Sequence, residues 1–316
     1  MAILVVHTGG TIGMQATADG FAPQVGIVED AVAELIAAGH IGTSVDIVRL
    51  EPLIDSAQAT PQDWHRVAQA IHGARDAYDA VIVTHGTDTL AFTAAALCLA
   101  LPGVAMPVIV TGSMLPLTVA DSDGRHNLID AFAAAATAPP GVWVQFAGRL
   151  LHGGRVRKAH SHARAAFEAT PSPVPPMITA AQPGLVEVQA HRVSVLTVTP
   201  GFCADLALHA AATCDGVVLR CFGSGTAPDT PAMQAVLAKA WAMQVPVIAV
   251  SQCPEGGMKL GTYAAGKILR DGGVIDGRAM TADMAFVKMQ FALSQFDEFE
   301  ARRGYLGTDQ CGEMLD

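Results

Sequence analysis

Basic residues, cysteine pairs and long apolar runs are what this chain has little of. Nineteen Lys and Arg face 29 Asp and Glu, a formal net charge of −10. That balance excludes general nucleic-acid binding, which basic surface drives. No apolar run approaches the roughly 20 residues that span a bilayer, because Gly, Pro, Asp and His interrupt the alanine-rich stretches. Met1-Ala2 leads straight into apolar residues, with no basic region ahead of a long apolar one, so no secretory leader is expected. The six cysteines (98, 203, 214, 221, 253 and 311) show neither CxxC pairing nor zinc spacing. Reduced thiols in a soluble cytoplasmic protein are the expectation, rather than a disulfide framework.

What the chain does have is apolar material, 51% of 316 residues, enough for two domains. Ile3 to Val6 is a β-branched run of the kind buried in parallel sheets. It breaks at Gly9-Gly10-Thr11-Ile12-Gly13. Met14 to Pro23 reads as a mobile loop over that strand end. Ile27 to Ala38 has helical spacing, Val45 to Leu50 alternates as a strand, and Thr60-Pro61-Gln62-Asp63 opens a helix. Strands are predicted at 80–84, 107–111 and 142–147, with helices at 90–101 and from about 127 to 137. Strand, polar loop and helix thus recur at least four times, the pattern of a doubly wound, mostly parallel sheet. Residues 149–168 form a basic stretch and read as a partly solvated edge. An extended connection runs from about 170 to 190. A smaller α/β domain then occupies 191–316, with strands at 193–198, 216–220 and 245–250 and helices near 203–212, 230–243 and 281–302.

Open α/β sheets bind ligands beyond the carboxyl ends of their strands. Four such loops carry Thr11, then Asp55 and Ser56, then Thr87 and Asp88, then Ser113. Hydroxyls, a carboxylate and glycine-exposed backbone N–H groups are the parts acyl transfer needs. Lys158 can serve as a base there if its surroundings favour the neutral amine. Two readings of Thr11 fit the residues: a nucleophile, or a structural threonine in a tight turn. Rival motifs fall short. The glycines do not match G-x-G-x-x-G, and no P-loop or G-x-S-x-G is present. Asp121-Ser122-Asp123-Gly124 lacks the later ligands of a calcium loop. His160 and His162 have no third metal ligand beside them.

Two segments, Thr8-Gly9-Gly10-Thr11-Ile12-Gly13 and His85-Gly86-Thr87-Asp88-Thr89-Leu90, resemble the signatures of bacterial L-asparaginases. The resemblance extends to 53–56, 110–113, 122–128 and Lys158-Ala159-His160. In the second half it takes in 219–228, 251–253 and 261–263. Lys-Ala-His and the missing leader point to the cytoplasmic, type I-like branch. The resemblance implies cofactor-free hydrolysis of L-asparagine to aspartate and ammonia, in a homotetramer of paired dimers with active sites at subunit seams. It implies Thr11 as the acylated nucleophile and Thr87, Asp88 and Lys158 as a second hydroxyl with its relay. Asp55, Ser56 and Asp88 would hold the substrate's α-groups, and Gly86, Thr87 and Ser113 would line its amide. Tyr263 would reach a neighbouring subunit, and Arg220 and Cys253 match a regulatory asparagine site.

The chain departs from that pattern at three positions. Phe21 stands where the family usually has a loop tyrosine. Ala57 follows Ser56 where relatives often carry a gripping side chain. Arg157 replaces the threonine of allosteric members, so altered or absent asparagine regulation is expected. Alternatives that accommodate these changes are a relaxed amidohydrolase for glutamine, D-asparagine or another ω-amide, and a weakened amino-acid-binding relative. The asparaginase-like subunit of a tRNA-dependent amidotransferase is disfavoured by the acidic charge.

Overall fold

The structure, a computed structural model, describes residues 1–18 and 20–315. The chain packs as two compact units, Met1–Val186 and Glu187–Asp316.

The first unit is built on six strands: β1 (Ala2–Gly9), β4 (Ser44–Ile54), β5 (Ala80–Thr84), β6 (Pro107–Thr111), β7 (Gly141–Phe146) and β8 (Arg149–His152). Their order is β4-β1-β5-β6-β7-β8, parallel throughout except that β8 runs antiparallel to β7. Residues of one strand face alternate sides. Ile3, Val5, Ile82 and Ile109 accordingly pack on α1 (Ile27–Ala37) and α4 (Gly124–Thr137). Against the other face lie α2 (Pro61–Ala74) and α3 (Leu90–Ala100). This is the doubly wound sheet that the apolar runs predict. The chain leaves β1 for β4 on one side and returns to β5 on the other. The carboxyl end of β1 is therefore a topological switch point, where such sheets open a crevice.

The second unit carries a parallel sheet ordered β11-β12-β13-β14: Val193–Thr197, Gly216–Cys221, Val247–Ser251 and Ile275–Asp276. Helices α5 (Ala204–Thr213) and α6 (Pro231–Ala242) share one layer, and a short α7 (Lys267–Asp271) follows. The remaining helices are α8 (Ala282–Gln295), packed on the sheet, and α9 (Phe299–Gly307). No helix among the described residues is long and apolar enough to cross a membrane.

Three local expectations are corrected. The loop at 14–23 is a hairpin, β2 (Met14–Thr17) against β3 (Gly20–Pro23), with Ala16 opposite Phe21. Thr17 Oγ1 closes its turn by donating to the Gly20 carbonyl at 2.6 Å, while Asp19 lies outside the described residues. The helix expected over 281–302 is two helices, because Phe296 takes an extended conformation (φ −132°). Its carbonyl then accepts from Arg302 Nε at 2.7 Å. The basic stretch 149–168 is structured: β8 joins the main sheet, and β9 (Val156–Lys158) pairs antiparallel with β10 (Phe167–Ala169). Arg155 is buried, with its Nε donating to Thr170 Oγ1 at 2.8 Å, and Arg157 is ion-paired to Glu168. Arg155 and Arg157 are thus satisfied inside the unit, while Arg149, His160, His162 and Arg164 stay exposed and form the solvated part of that edge.

Candidate active site

The switch-point crevice is assembled by bonds from the ends of neighbouring strands. Thr8 Oγ1 donates to the Thr84 carbonyl at 2.8 Å, and His7 Nδ1 lies 2.8 Å from Thr84 Oγ1, so β1 and β5 are tied side chain to strand. The chain then turns through Gly9 and Gly10, at φ 121° and 86°, a region side chains resist. Thr11 opens the short turn that follows and is half-buried. A Cβ on Gly10 would stand 2.3 Å from the Gly86 nitrogen. The backbone of the Thr11 turn therefore rests directly on the backbone of the loop after β5.

The loop after β4 meets the same point. Asp55 caps its turn, with Oδ1 accepting from Ala57 N at 3.1 Å and Oδ2 from Gln58 Nε2 at 3.2 Å. Ser56 is buried against Gly86, whose Cβ, if present, would lie 2.3 Å from Ser56 Oγ. Thr89 Oγ1 donates to the Ser56 carbonyl at 2.7 Å and fastens the two loops together. His85 braces the second loop from beneath. Its Nδ1 is 2.8 Å from the Gly86 carbonyl and its Nε2 is 2.9 Å from Thr93 Oγ1. A carbonyl only accepts, so Nδ1 carries the proton and the Thr93 hydroxyl donates to Nε2. Burial pushes the His85 imidazole below the usual histidine range, against the opposing pull of the Gly86 carbonyl and Asp63, and favours this neutral form.

Lys158 arrives from the β9–β10 hairpin, 70 or so residues further along. Its Nζ donates to Thr87 Oγ1 at 3.0 Å and to Asp88 Oδ1 at 2.9 Å. Thr87 is buried, whereas the Asp88 side chain is mostly exposed. One amine thus holds both a hydroxyl and a carboxylate beside the Gly10–Gly86 junction. Such a set can pass a proton between an attacking oxygen and a leaving nitrogen.

Ser113 is fully buried at the end of β6, and its Oγ donates to the Leu115 carbonyl at 2.6 Å. Its hydroxyl thereby shapes its own loop. Asp123 holds that loop as well, accepting from Met114 N at 2.9 Å and Leu115 N at 3.0 Å. Asn127 Nδ2 donates to the Gly112 carbonyl at 2.9 Å.

The structure therefore gathers Thr11, Ser56, Gly86, Thr87, Asp88 and Lys158 at one edge of the first sheet, with Asp55 and Ser113 in adjoining loops. Phe21 is 51% exposed on its hairpin. Tyr263, Arg220 and Cys253 belong to the second unit. Tyr263 is 59% exposed. Arg220 and Cys253 come from the carboxyl ends of neighbouring strands, joined where Gln252 N donates to the Cys221 carbonyl at 2.9 Å, and Arg220 Nε is buried without a hydrogen-bond partner. Sequence reasoning missed the bracing roles of Thr8, His85 and Thr89. Their positions inside the two glycine-containing segments were the available signal. Among the described residues, no three His, Cys, Asp or Glu side chains cluster so as to hold a metal ion.

A two-unit α/β chain with hydroxyls, a carboxylate and an amine converging on the switch point of its larger sheet has the frame of a hydrolase that works through a side-chain hydroxyl. Comparison with known proteins narrows the class. The family model described as asparaginase, N-terminal, matches residues 2–192, and that of the glutaminase/asparaginase C-terminal domain matches residues 192–306. L-asparaginase 1 of Escherichia coli strain K12 is 35% identical over 333 residues, spanning 99% of this chain and 97% of that protein. The thermostable L-asparaginase from Thermococcus kodakarensis superposes with a TM-score of 0.90 at 30% identity, covering 100% of both chains. L-asparaginase I from Vibrio cholerae gives 0.89 at 30% identity over 99% of each. The chain belongs to the asparaginase family.

Proposed function

We propose that this protein hydrolyses L-asparagine to L-aspartate and ammonia, and that Thr11 is the residue acylated. The observation that carries the reading is the placement of Lys158 Nζ, 3.0 Å from Thr87 Oγ1 and 2.9 Å from Asp88 Oδ1, next to the loop on which Gly10 rests. Thr11 Oγ1 attacks the side-chain amide carbon, and its proton passes through the Thr87–Lys158 relay to the departing nitrogen. The C–N bond breaks, ammonia leaves, and a β-aspartyl ester remains on Thr11. Water then attacks the ester carbon with the same relay accepting its proton, which releases aspartate and restores the threonine hydroxyl. Asp88 keeps the amine oriented toward Thr87 in both steps. Backbone N–H groups of the glycine-bounded loops supply donors for the oxyanion. Asp55 and Ser56 take the α-amino and α-carboxylate groups, and Gly86 and Ser113 line the amide side. No cofactor enters this scheme.

The substrate is a small molecule, and the assembly we propose is a homotetramer of two tight dimers, in which exposed Tyr263 is available to a neighbouring subunit. A reducing, cytoplasmic setting fits the six free cysteines. Arg220 and Cys253 are the candidates for regulation by asparagine, with a hyperbolic rate curve expected because Arg157 stands beside the lysine.

A second reading, hydrolysis of a wider set of ω-amides, draws on Ala57, a residue with no side chain to grip a substrate, and on the Asp55 carboxylate that Gln58 already occupies. Ammonia release from L-asparagine, D-asparagine and glutamine at equal concentration separates the two. Thr11→Ala abolishes turnover with the fold retained if the proposal holds. Wild-type activity in that variant overturns it.

A further inference from the structure

The hairpin that delivers Lys158 is closed by a histidine ring. His160 Nδ1 is 3.0 Å from His162 N and 2.8 Å from Ala163 N, so one ring nitrogen accepts two backbone N–H groups. Accepting both requires that Nδ1 be unprotonated, with the single ring proton on Nε2. The same turn is held by Ala159 N and His160 N, which donate to the Ala166 carbonyl at 2.7 and 3.2 Å. Beyond it Lys158 stands opposite Phe167, and Arg157 opposite Glu168. In a strand, neighbouring residues face opposite sides, so a slip of one residue in a hairpin exchanges its faces. Here such a slip would withdraw the Lys158 amine from Thr87 and Asp88 and present the side of Arg157 instead.

We infer that His160 is a positioning residue for the reaction: its neutral ring locks the turn that sets the register of the β9–β10 hairpin and thereby places Lys158. This rests on the relay described above for asparagine hydrolysis. Removing the ring takes away the acceptor, so the turn loses both bonds at once. The charged and titratable side chains of the flanking elements are Arg157 and Lys158 on β9 and Glu168 on β10. His162 and Arg164 lie in the turn, and Asp121 belongs to the segment whose carbonyl accepts from Arg164 at 2.8 Å. Arg157 is bound to Glu168 and Lys158 to Asp88. The ring is held through Nδ1 by the two backbone N–H groups.

The test compares His160→Ala and His160→Asn with wild type. An asparagine side-chain oxygen can accept from the backbone N–H two residues on, as in an Asx turn, and has no proton to gain near neutrality. His160→Ala is expected to lower kcat about 10- to 100-fold, the scale of a catalytic group displaced by about 1 Å, with KM little changed. His160→Asn is expected to restore kcat at neutral pH. Wild-type kcat in His160→Ala, or a kcat in His160→Asn no higher than that of His160→Ala, overturns the inference. Imidazole ¹⁵N spectra, with His160→Asn assigning the resonance, read the ring independently of turnover: Nε2–H is expected, and Nδ1–H is incompatible with it. A wild-type protein that releases no ammonia from asparagine defeats the proposed function instead, whatever the tautomer of His160.

Discussion

Lys158 and Asp88 lie 70 positions apart in sequence, yet Nζ and Oδ1 meet at 2.9 Å. The carboxylate comes from a loop between a central strand and its helix, and the amine from a hairpin beyond the sheet's antiparallel edge. The Asp88 side chain is 61% exposed and that of Lys158 only 23%. An exposed pair of this kind contributes little to stability. Its value lies in aiming the amine at Thr87.

Removing that amine is expected to stop turnover without unfolding the protein. Lys158→Met should lower kcat by about 10²–10⁴-fold, the usual contribution of one proton-transfer group, and leave KM within a few-fold. Steady-state ammonia release, with circular dichroism as the control for folding, checks it.

Gly86 has no room for a side chain. A methyl group there would lie 2.3 Å from Ser56 Oγ and 3.2 Å from the Gly10 Cα, so two loops must move apart. Overpacking of this order costs about 1–3 kcal/mol. Gly86→Ala is expected to lower the urea midpoint and to reduce kcat about 10²-fold through misplacement of Thr11 and Thr87. Denaturation and kinetics on the same preparation test both effects.

Acid should weaken the first unit through two buried imidazoles. Burial lowers His7, against a smaller pull upward from Glu29 and with a further push down from Arg49. His85 is lowered in the same direction by burial. A base whose folded-state pKa is depressed binds its proton more readily when unfolded, so stability rises with pH. The contribution is complete above the unfolded histidine value of about 6.5 and is lost as pH falls from there toward the lower folded values. Urea midpoints at about pH 8 and about pH 5.5 are expected to fall on acidification, and less so in His7→Gln.

Phe21→Tyr is expected to change kcat by less than about tenfold, well short of a lost general acid–base group. The ring lies half exposed on the β2–β3 hairpin, while Lys158 is already in contact with Thr87 and Asp88. A series with Lys158→Met distinguishes a supplementary hydroxyl from a missing one. In that background the added tyrosine should rescue nothing.

The strands that position the crevice were legible because they are local and nearly pure. Val5-Val6, Ala80 to Thr84 and Pro107 to Thr111 are apolar runs ended by glycine or polar residues, and they became β1, β5 and β6. The hairpins were not legible. Arg155, Arg157 and Lys158 look like surface charge until Thr170, Glu168 and Asp88 are brought to them from elsewhere in the chain. The hairpin after Thr11 was hidden for another reason: Ala16, Gly20 and Ala22 give little alternation to read. Phe296 ends a helix inside a run whose apolar spacing continues, and its extended backbone, with a carbonyl that accepts from Arg302, marks the break. At the site, the residue types in the glycine-containing loops were visible, whereas the contacts that brace them depend on folding.

The antiparallel β8 has a consequence for inactivation. Thr11 and Thr87 are carried on interior strands, ordered between β4 and β6, and their turns are locked backbone to backbone. The amine in contact with Thr87 comes from a short hairpin that follows the sheet's outermost strand, and segments of that kind open at lower free energy than a sheet centre. Heat or denaturant should therefore silence the enzyme in two stages. The amine swings away first while the sheet still holds, and that loss reverses on cooling. Only then does the sheet itself give way.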